Sequence, residues 1–150
     1  MLVTYTHRRV GDEDVDNIST DARSKQMSLI RSKDTAPEML VRKLVHSMGY
    51  RYRLHQRDLP GLPDLVFRSR RKIVFVHGCF WHRHSGCPLN RLPKSRIEFW
   101  RTKLEGNRIR DRRNESLLRQ GGWKLLVIWE CETRGATELL QERVKEFLDE

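Results

Sequence analysis

Apolar residues recur at three- and four-residue spacing from Leu40 to Met48 (Leu40, Val41, Leu44, Val45, Met48), the stripe of an amphipathic helix. Thr35-Ala36-Pro37-Glu38 supplies a capping-box start with proline in the first turn, and Gly49 supplies the stop. The period then changes. Residues 50–55 alternate aromatic or apolar with basic side chains and predict a strand. Leu59-Pro60-Gly61-Leu62-Pro63 predicts a turn, and Asp64–Phe67 a short apolar strand. Ser69–Arg71 reads as a hairpin tip before a β-branched strand at Lys72–His77. Residues 78–93 show no period and read as a loop. Residues 95–120 form a long polar helix with a thin stripe (Ile97, Trp100, Leu104, Leu117, Leu118), stopped by Gly121-Gly122. A buried strand at Trp123–Trp129 and an amphipathic helix at Thr137–Phe147 follow. Near the start, Ser19-Thr20-Asp21 caps a short helix reaching about Arg31 with few apolar residues. Residues 1–18 lack periodicity and read as a mobile N-terminal arm, leaving 19–150 as one domain.

Tight links between the first strands allow antiparallel pairing, whereas the helix before the last strand allows a parallel crossover. The expected fold class is α/β, a three-layer domain with a central mixed β-sheet. A chain of 150 residues buries a core without staples. No apolar run approaches the ~20 residues of a membrane span, and no export signal is evident. These features exclude a membrane-embedded class and make a cytoplasmic location the expectation.

Charge changes the picture most. Thirty basic against twenty acidic residues give +10, with a pI near 10.1. The surplus is mainly arginine and is clustered at residues 51–72 and 91–113. Arginine's planar fork suits phosphate, so a nucleic acid is the expected partner.

Asp64 follows proline and opens an apolar strand beside the end of the next, near Val76-His77. Magnesium prefers hard oxygen ligands and needs few protein carboxylates, so Asp64 with a backbone carbonyl from the neighbouring strand would suffice. The bland alternative is a turn aspartate capping amides after the Pro-Gly-Leu-Pro turn. The order of elements, with Glu38 on the preceding helix, resembles the skeleton of the PD-(D/E)XK nucleases. Phe75, Val76 and His77 stand where that pattern carries an acid, any residue and lysine.

Cys79-x4-His84-x2-Cys87 offers two thiolates and an imidazole, and Cys131 offers a fourth ligand, a common closed zinc set. His77 and His82 are then free to orient or deprotonate water near neutral pH. Phe80 and Trp81 in a polar loop, with Trp100 in the basic helix, either bury or enter a base step.

Several strings are specific: His77-Gly78-Cys79-Phe80-Trp81-His82-x-His84 with Cys87, Pro60-Gly61-Leu62-Pro63-Asp64, Arg96-x-Glu98-Phe99-Trp100, and Trp123 through Cys131. Together they resemble the very short patch repair (Vsr) DNA mismatch endonucleases, over about residues 19–147. The resemblance implies a restriction-endonuclease-like fold with a structural zinc site. It also implies nicking of one strand of duplex DNA 5′ of the thymine in a T:G mismatch left by 5-methylcytosine deamination. It makes Asp64 the magnesium ligand, joined by the Val76 backbone carbonyl, and His82 the residue that activates water. His77 would sit at the phosphate, and Glu38 would support the metal's water shell. Cys79, His84, Cys87 and Cys131 match zinc ligands. Phe80, Trp81 and Trp100 match aromatics inserted beside the mismatch, and the 20–31 helix a DNA-clasping element. The zinc loop is one residue longer at Ser85-Gly86 than the family pattern. Implied partners are mismatched duplex DNA, a functional link to a cytosine-5 DNA methyltransferase, and other mismatch-repair proteins. A monomer acting in the bacterial cytoplasm, at the nucleoid, is expected. The rival readings are a restriction-type nuclease on matched duplex and a non-catalytic zinc-stabilised DNA-binding module.

Overall fold

A computed structural model describes residues 19–30 and 32–150; the expected arm at 1–18 lies outside the described residues. Two units, 1–30 and 31–150, are described separately. In the first, helix α1 spans Thr20–Ser28, and the Ser19 hydroxyl accepts the Ala22 amide as its cap.

In the second unit, α2 (Ala36–Ser47) begins as its sequence dictates, with the Thr35 hydroxyl accepting the Glu38 N–H. The return half of the expected capping box does not form. Glu38 turns inward to Arg42 and His55, because a buried carboxylate is better stabilised by a cation than by an amide. The strand expected over residues 50–55 shrinks to β1 (Arg53–Leu54), since His55 enters the left-handed region (φ 43°) and leaves the ladder. Next come β2 (Leu65–Phe67), a 3-10 turn at Arg68–Arg70 where a hairpin tip is expected, and β3 (Lys72–His77). The long helix α3 runs from Ile97 to Gln120 and β4 from Lys124 to Trp129. A short helix α4 (Glu130–Thr133), absent from the sequence reading, precedes α5 (Thr137–Asp149).

The sheet order is β1-β2-β3-β4; the first two pairings are antiparallel and β3–β4 is parallel, as the connections require. The sheet is apolar on both faces. One face packs Leu65, Phe67, Val74 and Ile128 against Val41 and Val45 of α2 and Leu140, Val144 and Leu148 of α5. The other packs Val66, Ile73 and Phe75 with Trp123 against Leu118 of α3. Alternate residues of β2 and β3 thus feed opposite cores, which fixes their register. At about 25 cal/mol per Å² of apolar surface, this burial holds the strand ends that carry Asp64 and His77.

The turn before β2 brings α3 close. Gly61 sits at φ 79°, and a Cβ there would lie 3.1 Å from the Asn114 side chain. Glycine is required both for the conformation and for the approach.

Candidate active site

Asp64 ends this turn, and its Oδ2 accepts the Val76 backbone N–H at 2.7 Å. The contact joins the start of β2 to the end of β3. Burial is the chief reason that the Asp64 carboxyl is pushed up to about 7; the Val76 hydrogen bond opposes the shift, and nearby Glu38 adds to it. A carboxylate destabilised in this way favours a cation beside it. Its hard oxygen, the pocket in front and the neighbouring β3 backbone suit a divalent ion such as magnesium.

His77 and His82 face one another as stacked rings, with centroids 3.9 Å apart. His77 is 7% exposed and lies against Phe75 and Trp129. Burial, followed by the neighbouring His82, lowers its pKa to about 3, so it is neutral at physiological pH. His82 Nδ1 lies 2.6 Å from Asp111 Oδ2. A carboxylate only accepts, so the hydrogen sits on Nδ1, which leaves the lone pair of the neutral ring on Nε2. Such a dyad orients an imidazole as a general base.

Asp64, Val76, His77, His82 and Asp111 line one pocket of about 260 Å³, with Asn114, Glu115, His55 and Lys33 on its walls. Asp111 escaped the sequence reading. Its signal was present: it is a lone acid among Arg108, Arg110, Arg112 and Arg113. Helical spacing alone does not say that this position faces a histidine some 29 residues earlier. Glu38 is 2% exposed and does not line the pocket; Arg42 and His55 hold it, with His55 Nε2 at 3.2 Å.

The second cluster interleaves with the first. The donor atoms of Cys79, His84, Cys87 and Cys131 all lie within 4.8 Å of one another. His84 Nδ1 is 3.5 Å from Cys79 Sγ and 3.4 Å from Cys131 Sγ. Donors around one tetrahedral zinc stand roughly 3.3–3.8 Å apart, so this set fits that ion. Burial pushes the Cys79 thiol up to about 12, so thiolate at this position calls for a bound cation. The His84 ring stacks on Trp129 at 4.2 Å, and the Glu130 carboxylate accepts the Cys79 N–H at 3.4 Å. Strand β4 and helix α4 therefore bring Cys131 to His84, 47 residues earlier in the chain.

The aromatics form a third group. Trp100 makes edge contacts with Phe80 (5.6 Å), Trp81 (6.1 Å) and Phe99 (5.4 Å). Trp100 is 6% exposed, and its Nε1 has no partner, whereas Phe99, which the sequence reading passed over, is 45% exposed. Lys103 Nζ lies within 6 Å of the rings of Trp81, Phe99 and Trp100. Phe80 and Trp81 are half-buried on this support.

A carboxylate facing a cation-ready pocket beside an Asp–His dyad, on a strongly basic α/β domain, defines a hydrolytic site of the kind that cleaves phosphodiesters. The comparisons agree. A family model described as DNA mismatch endonuclease Vsr matches residues 15–88. The type II nicking enzyme V.XorIIP of Xanthomonas oryzae is 51% identical over 134 residues, covering 89% of this chain and 97% of that protein. The DNA mismatch endonuclease Vsr of Escherichia coli is 43% identical over 128 residues, covering 85% and 81%. The type II nicking enzyme V.NmeAIP of Neisseria meningitidis is 42% identical over 137 residues, covering 89% and 97%. The chain belongs to the Vsr family of DNA mismatch endonucleases, whose activity is that of a nuclease acting on DNA.

Proposed function

We propose that the protein nicks one strand of duplex DNA 5′ of the thymine in a T:G mismatch arising from 5-methylcytosine deamination, by magnesium-dependent phosphodiester hydrolysis. The observation that carries this reading is the shared pocket of Asp64 and the His82–Asp111 dyad. Relatives named for mismatches and for nicking support a single-strand cut at a lesion.

In this reading Asp64 and the Val76 backbone carbonyl hold magnesium. When bound, the ion supplies Lewis-acid stabilisation of the charge that develops on the phosphoryl and leaving oxygens. The rest is the work of the chain. His82 Nε2 accepts a proton from the attacking water, while Asp111 fixes the tautomer and stabilises the imidazolium. His77, neutral at working pH, donates a hydrogen bond to the phosphate rather than a charge. Glu38, expected to support the metal's water shell, lies outside the pocket lining and is held by Arg42 and His55, so it would act on the site from behind, through His55 and its closeness to Asp64. The new P–O bond forms as the bond to the 3′ oxygen breaks, and that oxygen takes a proton from solvent, leaving a 5′-phosphate and a 3′-hydroxyl. Phe80 and Trp81, backed by Trp100, wedge beside the mismatch, where unstacking costs least. Zinc held by Cys79, His84, Cys87 and Cys131 closes the loop that carries His82.

On this reading residues 19–150 act as one endonuclease domain after a mobile arm at 1–18. The protein works as a monomer in the bacterial cytoplasm, at the nucleoid. Its substrate lesion originates with a cytosine-5 methyltransferase, and other mismatch-repair proteins are candidate partners.

The test is a nicking assay on matched and T:G duplexes of equal sequence. Magnesium-dependent nicking of the mismatched duplex alone is expected, abolished by Asp64→Ala. Equal cutting of the matched duplex would establish a restriction-type enzyme instead. Binding without nicking would establish a non-catalytic DNA-binding module.

A further inference from the structure

Helix α2 presents Glu38 and Arg42 one turn apart on an inward face. The Arg42 guanidinium is buried and gathers three titratable partners, with the Met39 sulfur 3.3 Å away as a fourth contact. It donates to Asp34 Oδ1 at 2.8 Å and to Glu38 Oε1, and lies 2.9 Å from His55 Nε2. Two of these partners stand in left-handed backbone conformations that residues other than glycine rarely adopt: Asp34 at φ 53° and His55 at φ 43°. Strain of this kind persists only where the surrounding fold over-determines it, and it concentrates at functional sites.

The donor atoms of Asp34, Glu38 and His55 lie within 4.8 Å of one another, a set that would suit a metal ion. Here a guanidinium neutralises the set instead. Arginine keeps its charge at any working pH, and its flat fork fixes the direction of each bond. A carboxylate buried as deeply as Glu38 is costly to leave without such a partner. Glu38 in turn is near enough to Asp64 to repel its charge, and His55 lines the pocket that Asp64 faces.

We propose that Arg42 is a positioning residue for the divalent-ion site. It clamps Glu38 in one orientation behind Asp64, and with Asp34 and His55 ties the 32–35 segment and the end of β1 to α2. The inference rests on the reading of Asp64 as the ion's ligand, with Glu38 behind it and joined to the pocket wall through His55. It adds the group that holds Glu38 there. Arg42 touches neither substrate nor ion; it acts through Glu38.

The experiment measures divalent-ion binding directly, by Mn²⁺ electron paramagnetic resonance on the free protein, alongside nicking of a T:G duplex over a magnesium series. Asp64→Ala identifies the binding event that belongs to the pocket. Loss of an outer partner weakens metal sites or activity roughly 10–100-fold. Arg42→Gln is therefore expected to bind Mn²⁺ about tenfold more weakly and to need about tenfold more magnesium for half-maximal nicking. Arg42→Lys, which restores charge without the fork, should recover part of the loss. In a Glu38→Gln background, Arg42→Gln should add little, because the clamp then has nothing to hold. Should Arg42→Gln not fold, Asp34→Asn and His55→Gln each remove one partner at milder cost, and both should move the same two readouts in the same direction. The proposal is overturned if the folded variants keep wild-type Mn²⁺ affinity and magnesium dependence, whatever their melting temperatures. A wild-type protein that binds Mn²⁺ at Asp64 yet nicks no duplex would sink the functional reading instead, and the binding series would still judge the clamp.

Discussion

The pocket and the cysteine cluster draw on the same loop yet hold their side chains by opposite means. From His77 to Cys87 the chain deals residues alternately: His77 and His82 to the pocket, and Cys79, His84 and Cys87 to the cluster. The pocket is open and electrostatically uneasy. Its carboxylate is pushed up to about 7 and one imidazole down to about 3, both by burial. The cluster is compact, with its four donor atoms all within 4.8 Å of one another. Perturbed groups beside a cavity do chemistry; converged soft donors hold a loop. The loop serves both because the first site needs a rigid support that its own polar residues cannot supply.

The sharpest break in that comparison comes from removing one orienting group on the pocket side. Asp111→Asn should lower the nicking rate by about 10²–10⁴-fold, because His82 loses its tautomer and orientation. The melting temperature should change by only a few degrees. Single-turnover nicking and a thermal melt on the same preparation check it; an equal loss in both would make Asp111 merely structural.

On the cluster side the pattern should invert. Cys131→Ala should lose bound zinc and destabilise the fold by about 2–4 kcal/mol, within the range for mutations that remove a structural metal. The folded fraction should nick within a few-fold of wild type. Metal analysis and denaturant melts measure the first part, and rates normalised to folded protein the second.

The smallest effect sharpens the electrostatic contrast. Asp64 has a folded pKa above its unfolded value, so the neutral form is the one favoured by folding. Without a divalent ion, stability should therefore fall as pH rises from about 4 to about 7, and the full penalty should persist above that. Asp64→Asn removes the titration. It should raise the metal-free melting temperature at pH 8 by several degrees, at about 2–4 °C per kcal/mol, and leave it unchanged near pH 4. Magnesium should narrow the gap by stabilising wild type alone.

Much of the fold was legible because its signals are local. The stripe of α2, the β-branched run of β3 and the paired glycines after α3 each act within a few residues, and the elements follow. The mixed pairing followed from connection lengths. Misreadings arose where a side-chain partner outcompeted a backbone one. Glu38 left its capping box for Arg42, and His55 left the strand for the same guanidinium. The candidate site was legible wherever unusual residue types cluster, as in the Cys/His loop. Asp111 was hidden among many acids and arginines, with nothing in its spacing to single it out; Arg42 stands four residues after Glu38, the spacing of a helical ion pair, a local signal that went unread.

By itself the sequence determined the family, the basic character suited to DNA, and the short strings that carry Asp64, the two histidines and the four metal-type donors. It could do so because those residue types are scarce and their spacings are short. Tertiary structure alone decided which histidine meets Asp111, that His55 joins Glu38 and Arg42, and that Trp100 supports Phe80 and Trp81 from beneath. Those contacts join side chains by packing α2 and α3 onto opposite faces of one sheet. The geometry of packing is set by the whole core and is written in no single stretch of chain.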